Sequence, residues 1–172
     1  MIYRMIYRVR GTMQALGYRV VPRPAPVVVV DPSLPRETGK YNAVDHAVRV
    51  APGYSLRLLG HELAHSQQPR HAVMYYRDGV ADRAAWLRDP YEQEAEAVGL
   101  ALELGLDAAP DVLAVIAKCA EASHVPAYRW VEWVGEARKF GTVLGVAKPG
   151  HLPRKLRMAL NAAAAHFIIK EV

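Results

Sequence analysis

The chain has 172 residues, 52% of them hydrophobic and 23% charged, and its 22 Lys and Arg against 17 Asp and Glu give a formal net charge of +5. This balance is typical of a folded globular domain and excludes an intrinsically disordered chain, which carries fewer apolar residues and more net charge per residue. Cys119 is the single cysteine, so a disulfide-stabilised scaffold is excluded as well.

The first fifty residues predict one helix followed by short strands. Apolar residues at helical spacing predict an amphipathic helix over residues 2–16 that ends at Gly17. Three prolines then favour an extended chain up to Val27–Val30, a run of four valines that predicts a buried strand. Residues 41–50, which include Val44, predict a second short strand.

The rest of the chain predicts mainly helices. Ser55 can cap a helix over residues 56–67, and Asp89-Pro90 is a typical start for a helix that runs to about residue 104 and ends at Gly105. Four further helical stretches are predicted, the first of them only in part helical: 80–87, 111–122, 128–140 and 153–169. Cys119 and the three tryptophans, Trp86, Trp130 and Trp133, are expected to pack in the interior.

These elements together predict an α+β fold with a small sheet and a mostly helical C-terminal part. Since no segment has the composition of a linker, we expect a single domain over residues 1–172. No apolar run approaches the ~20 residues that a membrane span needs. The N-terminus interleaves arginine with apolar residues and has no cleavage site of a signal peptide, so we expect a cytoplasmic location.

The predicted helix over residues 56–67 contains His61-Glu62-Leu63-Ala64-His65, the HExxH pattern. Residues i and i+4 of a helix share one face, so both imidazoles can reach one zinc ion. Glu62 points about 100° away from His61 around the helix axis, and it can address a water molecule without binding the metal. The pattern therefore predicts a zinc site with Glu62 as general base.

A catalytic zinc ion takes three protein ligands, so a third ligand is expected downstream. The favoured candidate is Glu92, which shares a helical face with Glu96; Glu96 would then hydrogen-bond a ligand histidine. The alternative is His71, six residues after His65, as in the metzincin pattern HExxHxxGxxH. Gln68 stands at the position of the metzincin glycine, which disfavours this alternative.

His61-Glu-Leu-Ala-His65 followed by Glu92-Gln-Glu-Ala-Glu96 resembles the gluzincin peptidases, in which a glutamate on a later helix follows HExxH. Glu96 stands where the minigluzincins related to the Ste24/HtpX peptidases usually have Asp. The order of strand and HExxH helix also resembles the ImmA/IrrE-type metallopeptidases. The resemblance covers about residues 41–104 and implies a zincin-like fold and zinc-dependent hydrolysis of peptide bonds in a protein or peptide substrate.

The same resemblance implies a mechanism. Zinc lowers the pKa of a bound water toward ~7 and polarises the scissile carbonyl, while Glu62 takes the water proton and passes it to the leaving amine. The oxyanion needs a further donor, for which the nearest candidates are His71, Tyr75 and Tyr76. The strand over residues 44–50 is expected at the sheet edge, where it would bind an extended substrate by strand addition.

Two other functions stay open. A zinc-bearing regulatory or binding module would keep these ligands without relevant proteolysis, its fourth coordination position filled or its cleft blocked. The densest basic cluster, residues 148–157, is simplest to interpret as a solvated helix start, so a nucleic-acid partner is the less favoured alternative.

Overall fold

The computed structural model describes residues 2–69, 76–77, 80–81, 88–139 and 148–169. Strands and six α-helices in this part of the chain give an α+β fold. In chain order, the elements are α1 (Ile2–Ala15), β1 (Val27–Val30), β2 (Gly39–Asn42), β3 (Ala47–Val50), α2 (Leu56–His65), β4 (Tyr76–Arg77), β5 (Val80–Ala81), α3 (Pro90–Glu103), a short 3-10 helix (Leu106–Ala108), α4 (Pro110–Ser123), α5 (Ala127–Lys139) and α6 (Arg154–Ile169). Within these ranges, no helix combines the length and apolar character needed to cross a bilayer.

The helix boundaries follow the local signals in the sequence. The Ser55 side chain accepts a hydrogen bond from the first turn of α2, and the Asp89 side chain does the same for α3. Gly17 and Gly105, with φ of +79° and +72°, follow the ends of α1 and α3 in the left-handed conformation that glycine adopts easily. The predicted helices are thus confirmed in the described residues, except that residues 82–87 lie outside them and Val80–Ala81 forms β5.

The larger sheet has the strand order β1-β3-β2, with β1 parallel and β2 antiparallel to β3. The prediction of one continuous strand over residues 41–50 is wrong, because residues 43–46 form a turn between β2 and β3. Val44 lies in that turn with 96% of its surface exposed, and its N–H donates to the Asn42 side chain. Since β3 is the central strand, the expectation that this segment forms the sheet edge is wrong too.

The prediction that β1 is buried is also wrong. Val27 and Val30 are 64% and 51% exposed, and Val29 is exposed as well. In the described part of the chain, β1 pairs only with β3 and stands at the edge of the sheet. Four consecutive valines favour a strand by propensity, but without alternation they carry no information about which face is covered.

The core is one cluster of buried side chains from β3 and from all six α-helices, and α1 packs onto it against α3 and α4. The apolar face of α1 contributes Ile6, Val9 and Met13, which are almost completely buried. Arg8 on the same helix forms a bidentate ion pair with Asp107, at distances of 2.6 and 3.0 Å. Cys119, Trp130 and Trp133 are buried, as the sequence predicts. Trp86, the fourth residue predicted to be interior, lies outside the described residues. The N-terminal helix is therefore an integral part of the fold.

The helices α2 and α3 approach each other closely at two glycines. A Cβ atom at Gly60 would lie 2.5 Å from Leu102 Cδ1, and one at Gly99 would lie 2.5 Å from the carbonyl oxygen of Arg57. Glycine at both positions lets the two backbones come closer than larger residues permit. The face of α2 that carries the HExxH histidines is thereby held against α3.

Substitution of Gly99 by Ala tests this close approach. The added Cβ meets backbone, which cannot move aside cheaply, so we expect Gly99→Ala to lower the free energy of unfolding by ~1–3 kcal/mol. Gly11→Ala is the matched control, because Gly11 lies in α1 with open space around it and alanine favours a helix by up to ~1 kcal/mol. Urea unfolding measures both, and a Gly99→Ala variant as stable as the parent protein would contradict the packing argument.

Candidate metal centre

His61 and His65 on α2 and Glu92 on α3 converge on one point. His61 Nε2 lies 3.0 Å from His65 Nε2 and 3.1 Å from Glu92 Oε2, and His65 Nε2 lies 3.4 Å from the same carboxylate oxygen. A tetrahedral zinc ion with bonds of ~2.0–2.1 Å to nitrogen and oxygen holds its ligand atoms about 3.3 Å apart. The three atoms therefore form a triangle of the size that zinc requires, and the group could hold a metal ion.

A polar group contacts the other ring nitrogen of each histidine. His61 Nδ1 lies 3.3 Å from Glu96 Oε2, and His65 Nδ1 lies 2.8 Å from Gln68 Oε1. The Arg57 guanidinium in turn donates a hydrogen bond to Glu96. Such partners orient metal-binding imidazoles and select the tautomer that leaves the facing nitrogen free to bind. The structure thus places Glu96 beside a histidine, as the sequence predicts.

Arg57 and Gln68 are not identified as site residues from the sequence. Arg57 precedes His61 by four residues within α2, so helical spacing places it on the side of that histidine. Gln68 follows His65 by three residues, just past the end of α2. The sequence spacing of Arg57 and Gln68 from the two histidines is therefore a signal by which both residues could have been identified. It does not show which groups they meet, because their partners Glu96, Tyr91 and Glu94 lie on α3.

Glu62 is buried between α2 and the sheet. A Cβ atom on Gly39 of β2 would lie 3.0 Å from Glu62 Cγ and 3.3 Å from Glu62 Oε1. Glycine at position 39 therefore leaves the room that the Glu62 side chain occupies. The Glu62 charge is close enough to the ligand histidines to raise the pKa of His61.

The charges of the site are strongly coupled. Burial by itself lowers the pKa of His61, but hydrogen bonds to Glu92 and Glu96 outweigh it and hold this pKa well above its usual range. Burial raises the pKa of Glu92, yet the hydrogen bond from His61 and the nearby His65 imidazole hold that pKa well below its usual range. The pKa of Glu96 is lowered in the same way, by His61 and Arg57 against the effect of burial. The metal-free site therefore favours a protonated His61 between ionised carboxylates.

Several predicted residues are not brought to this site by the described structure. His71, the alternative third ligand, and Tyr75 lie outside the described residues. Tyr76 is described by its backbone alone, as part of β4. The three candidate oxyanion donors thus stay predictions, whereas Glu92 lies with His61 and His65 in a group that could hold a metal ion.

Comparison of the chain with protein-family models, with curated proteins and with solved structures finds no match. A function is therefore inferred from the chemistry of the site itself.

The ligand triangle predicts that the protein binds about one equivalent of Zn²⁺. His65→Ala removes one corner of the triangle, and we expect the variant to lose its zinc on dialysis. His151→Ala is the control, since His151 is exposed at the surface. Elemental analysis gives the stoichiometry, and zinc at 100 times its Kd should stabilise the parent protein by ~2.7 kcal/mol. Equal zinc content in the His65→Ala variant would contradict the assignment.

Metal binding is expected to depend on pH through His61. Its Nε2 must lose a proton before it can bind a metal ion, and the carboxylates hold its pKa above the usual range. Zinc binding at neutral pH should therefore release about one proton from this residue, and the apparent affinity should rise with pH up to that pKa. Calorimetric titrations in two buffers of different ionisation enthalpy count the proton. Zinc binding at pH 7 without proton release would contradict the prediction that His61 loses a proton when it binds the metal ion.

Proposed function

We propose that this chain is a zinc-dependent peptidase of the gluzincin type with a zincin-like fold. The observation that carries the proposal is the triangle of His61, His65 and Glu92, with Glu62 buried beside it. Three protein ligands are the set found in catalytic zinc sites, whereas structural sites are closed by four. A glutamate as the third ligand supports the gluzincin type.

Each residue of the proposed active site has a distinct role. Zinc, when bound, acts as a Lewis acid and makes water a better nucleophile. Glu62 accepts the proton of the attacking water and passes it to the leaving amine. Glu96 and Gln68 hold the two imidazoles, and Arg57 holds Glu96, so the ligands keep their positions during the reaction.

The proposed substrate site runs along β2. This strand contacts Glu62 through Gly39, and in the described part of the chain it pairs on one side only, with β3. The backbone groups of such an edge strand can pair with an extended peptide. The substrate edge is therefore assigned to β2 in place of the strand expected from the sequence over residues 44–50.

The burial of the site favours a second candidate function. His61, Glu62, His65 and Glu92 are each less than a tenth exposed. A metal ion held at such depth suits a zinc-bearing regulatory or binding module. Such a module cleaves no peptide, so its metal site need not be open to a substrate. The two candidates differ in whether the zinc-loaded protein cleaves a peptide bond.

Replacement of Glu62 by Gln tests the peptidase proposal. The amide keeps the size of the side chain but cannot accept the proton of water, so we expect the rate of cleavage to fall by ~10²–10⁴-fold with the zinc content unchanged. The assay is the zinc-dependent cleavage of a fluorescently labelled, unfolded protein, with zinc content measured on the same samples.

Glu121→Gln serves as the matched control, because Glu121 is an exposed glutamate on α4. It should leave both cleavage and zinc content unchanged. A Glu62→Gln variant with full activity would exclude the proposed general base. A parent protein that binds zinc and cleaves no peptide bond would instead support the zinc-bearing module.

A further inference from the structure

Gln68 connects the two helices that carry the candidate ligands. Its side chain is completely buried, and its Oε1 lies 2.8 Å from His65 Nδ1. Its Nε2 donates to the carbonyl oxygen of Tyr91 at 2.7 Å and to Glu94 Oε2 at 3.1 Å. Tyr91 directly precedes Glu92 in α3. One amide group thus joins a ligand histidine of α2 to the backbone beside the ligand glutamate of α3.

The orientation of this amide is determined by its partners. The carbonyl oxygen of Tyr91 is an acceptor in every protonation state, so it must face the NH₂ group of Gln68. Rotation of the amide by 180° would place Oε1 against this carbonyl oxygen, with both groups buried, and would leave two acceptors facing each other. The Gln68 Oε1 atom therefore points at His65.

The orientation of Gln68 in turn determines the tautomer of His65. Because Gln68 Oε1 can only accept a hydrogen bond, His65 must carry a proton on Nδ1. In the neutral ring, Nε2 is then unprotonated and presents its lone pair to the point where His61 Nε2 and Glu92 Oε2 meet. A neutral ring with its proton on Nε2 could not bind a metal through that atom.

We propose that Gln68 is a positioning residue that fixes His65 in the Nδ1–H tautomer and ties it to α3, so that the Nε2 lone pair faces the ligand triangle. This inference adds a residue to the proposed metal centre, and its predicted effect on metal affinity rests on the proposed function. The tautomer itself is a property of the metal-free protein, so it can be measured independently.

The neighbouring Gln67 offers a matched comparison. It is the same residue type, equally buried, and one position earlier in the chain. Its Oε1 accepts hydrogen bonds from Arg10 Nε at 2.8 Å and from the backbone N–H of Arg23 at 3.2 Å, and its Nε2 donates to Ser66 Oγ at 2.8 Å. These partners lie on α1, on the segment before β1 and at the end of α2, and none is a candidate ligand.

The first experiment needs no variant. Two-dimensional ¹H–¹⁵N NMR of the ¹⁵N-labelled, metal-free protein, at a pH where the His65 ring is neutral, distinguishes a protonated from an unprotonated ring nitrogen. We expect the proton on Nδ1 and the unprotonated signal on Nε2. A His65 ring that carries its proton on Nε2 would overturn the proposal.

The second experiment compares Gln68→Met with Gln67→Met. Methionine keeps the approximate size of glutamine but provides no amide, so Gln68→Met should weaken zinc binding by about 10- to 100-fold and mix the two His65 tautomers. Gln67→Met should lower the thermal stability and leave both the zinc affinity and the tautomer unchanged. Competition with a chromophoric chelator measures the affinity of each protein that retains the native circular dichroism spectrum.

The outcomes separate this proposal from the proposed function. Zinc binding of parental strength in Gln68→Met, or an equal loss in Gln67→Met, would overturn the role of Gln68 while the metal centre stands. A parent protein without zinc affinity would refute the metal centre, and the His65 tautomer would still show whether Gln68 positions the ring.

Discussion

Gly60 and Gly99 let the backbones of α2 and α3 lie unusually close together. The hydrogen bonds of the candidate metal centre that join α2 to α3 depend on this short distance. Packed helices lie ~8–10 Å apart, and small residues at the contact give the shorter distances. Here the imidazole of His61 reaches both Glu92 and Glu96, and the guanidinium of Arg57 reaches Glu96 as well. A wider spacing would lengthen all of these contacts at once, because they share one pair of rigid elements.

The charge balance of the site follows from this proximity. Ionised carboxylates are costly to bury unless a positive charge compensates for them. Arg57 supplies such a charge at Glu96, and the imidazole of His61, whose pKa the neighbouring carboxylates raise, can supply one at the ligand triangle by taking up a proton. A divalent cation at the triangle would take over the role of that proton with a larger charge. The buried carboxylates therefore favour a positive charge at this point, which is the electrostatic argument for the proposed metal site.

Much of the site could be predicted from sequence because its residues repeat with helical periodicity. The spacing of His61 and His65 places both on one helix face, and the shared face of Glu92 and Glu96 is sufficient to propose both residues. The contacts of Gln68 could not be foreseen, because they depend on where α3 lies relative to the end of α2, and local spacing carries no information about that position.

The sheet was predicted less well than the helices. Val44, Val48 and Val50 have the spacing of one strand face, so the sequence predicts one strand where β2 and β3 form a hairpin. In β1, consecutive valines gave the correct element but the wrong burial, since exposure is set by the edge position in the sheet.

The packing of α1 also bears on how the chain folds during synthesis. The helix is synthesised before α3 and α4, yet its ion pair joins Arg8 to Asp107, 99 residues later, and its apolar face packs on those two helices. Contacts of such long sequence separation slow folding, because bringing the two ends of a long loop together costs conformational entropy. The apolar face of α1 therefore gains its full set of packing partners only after α4 has been synthesised.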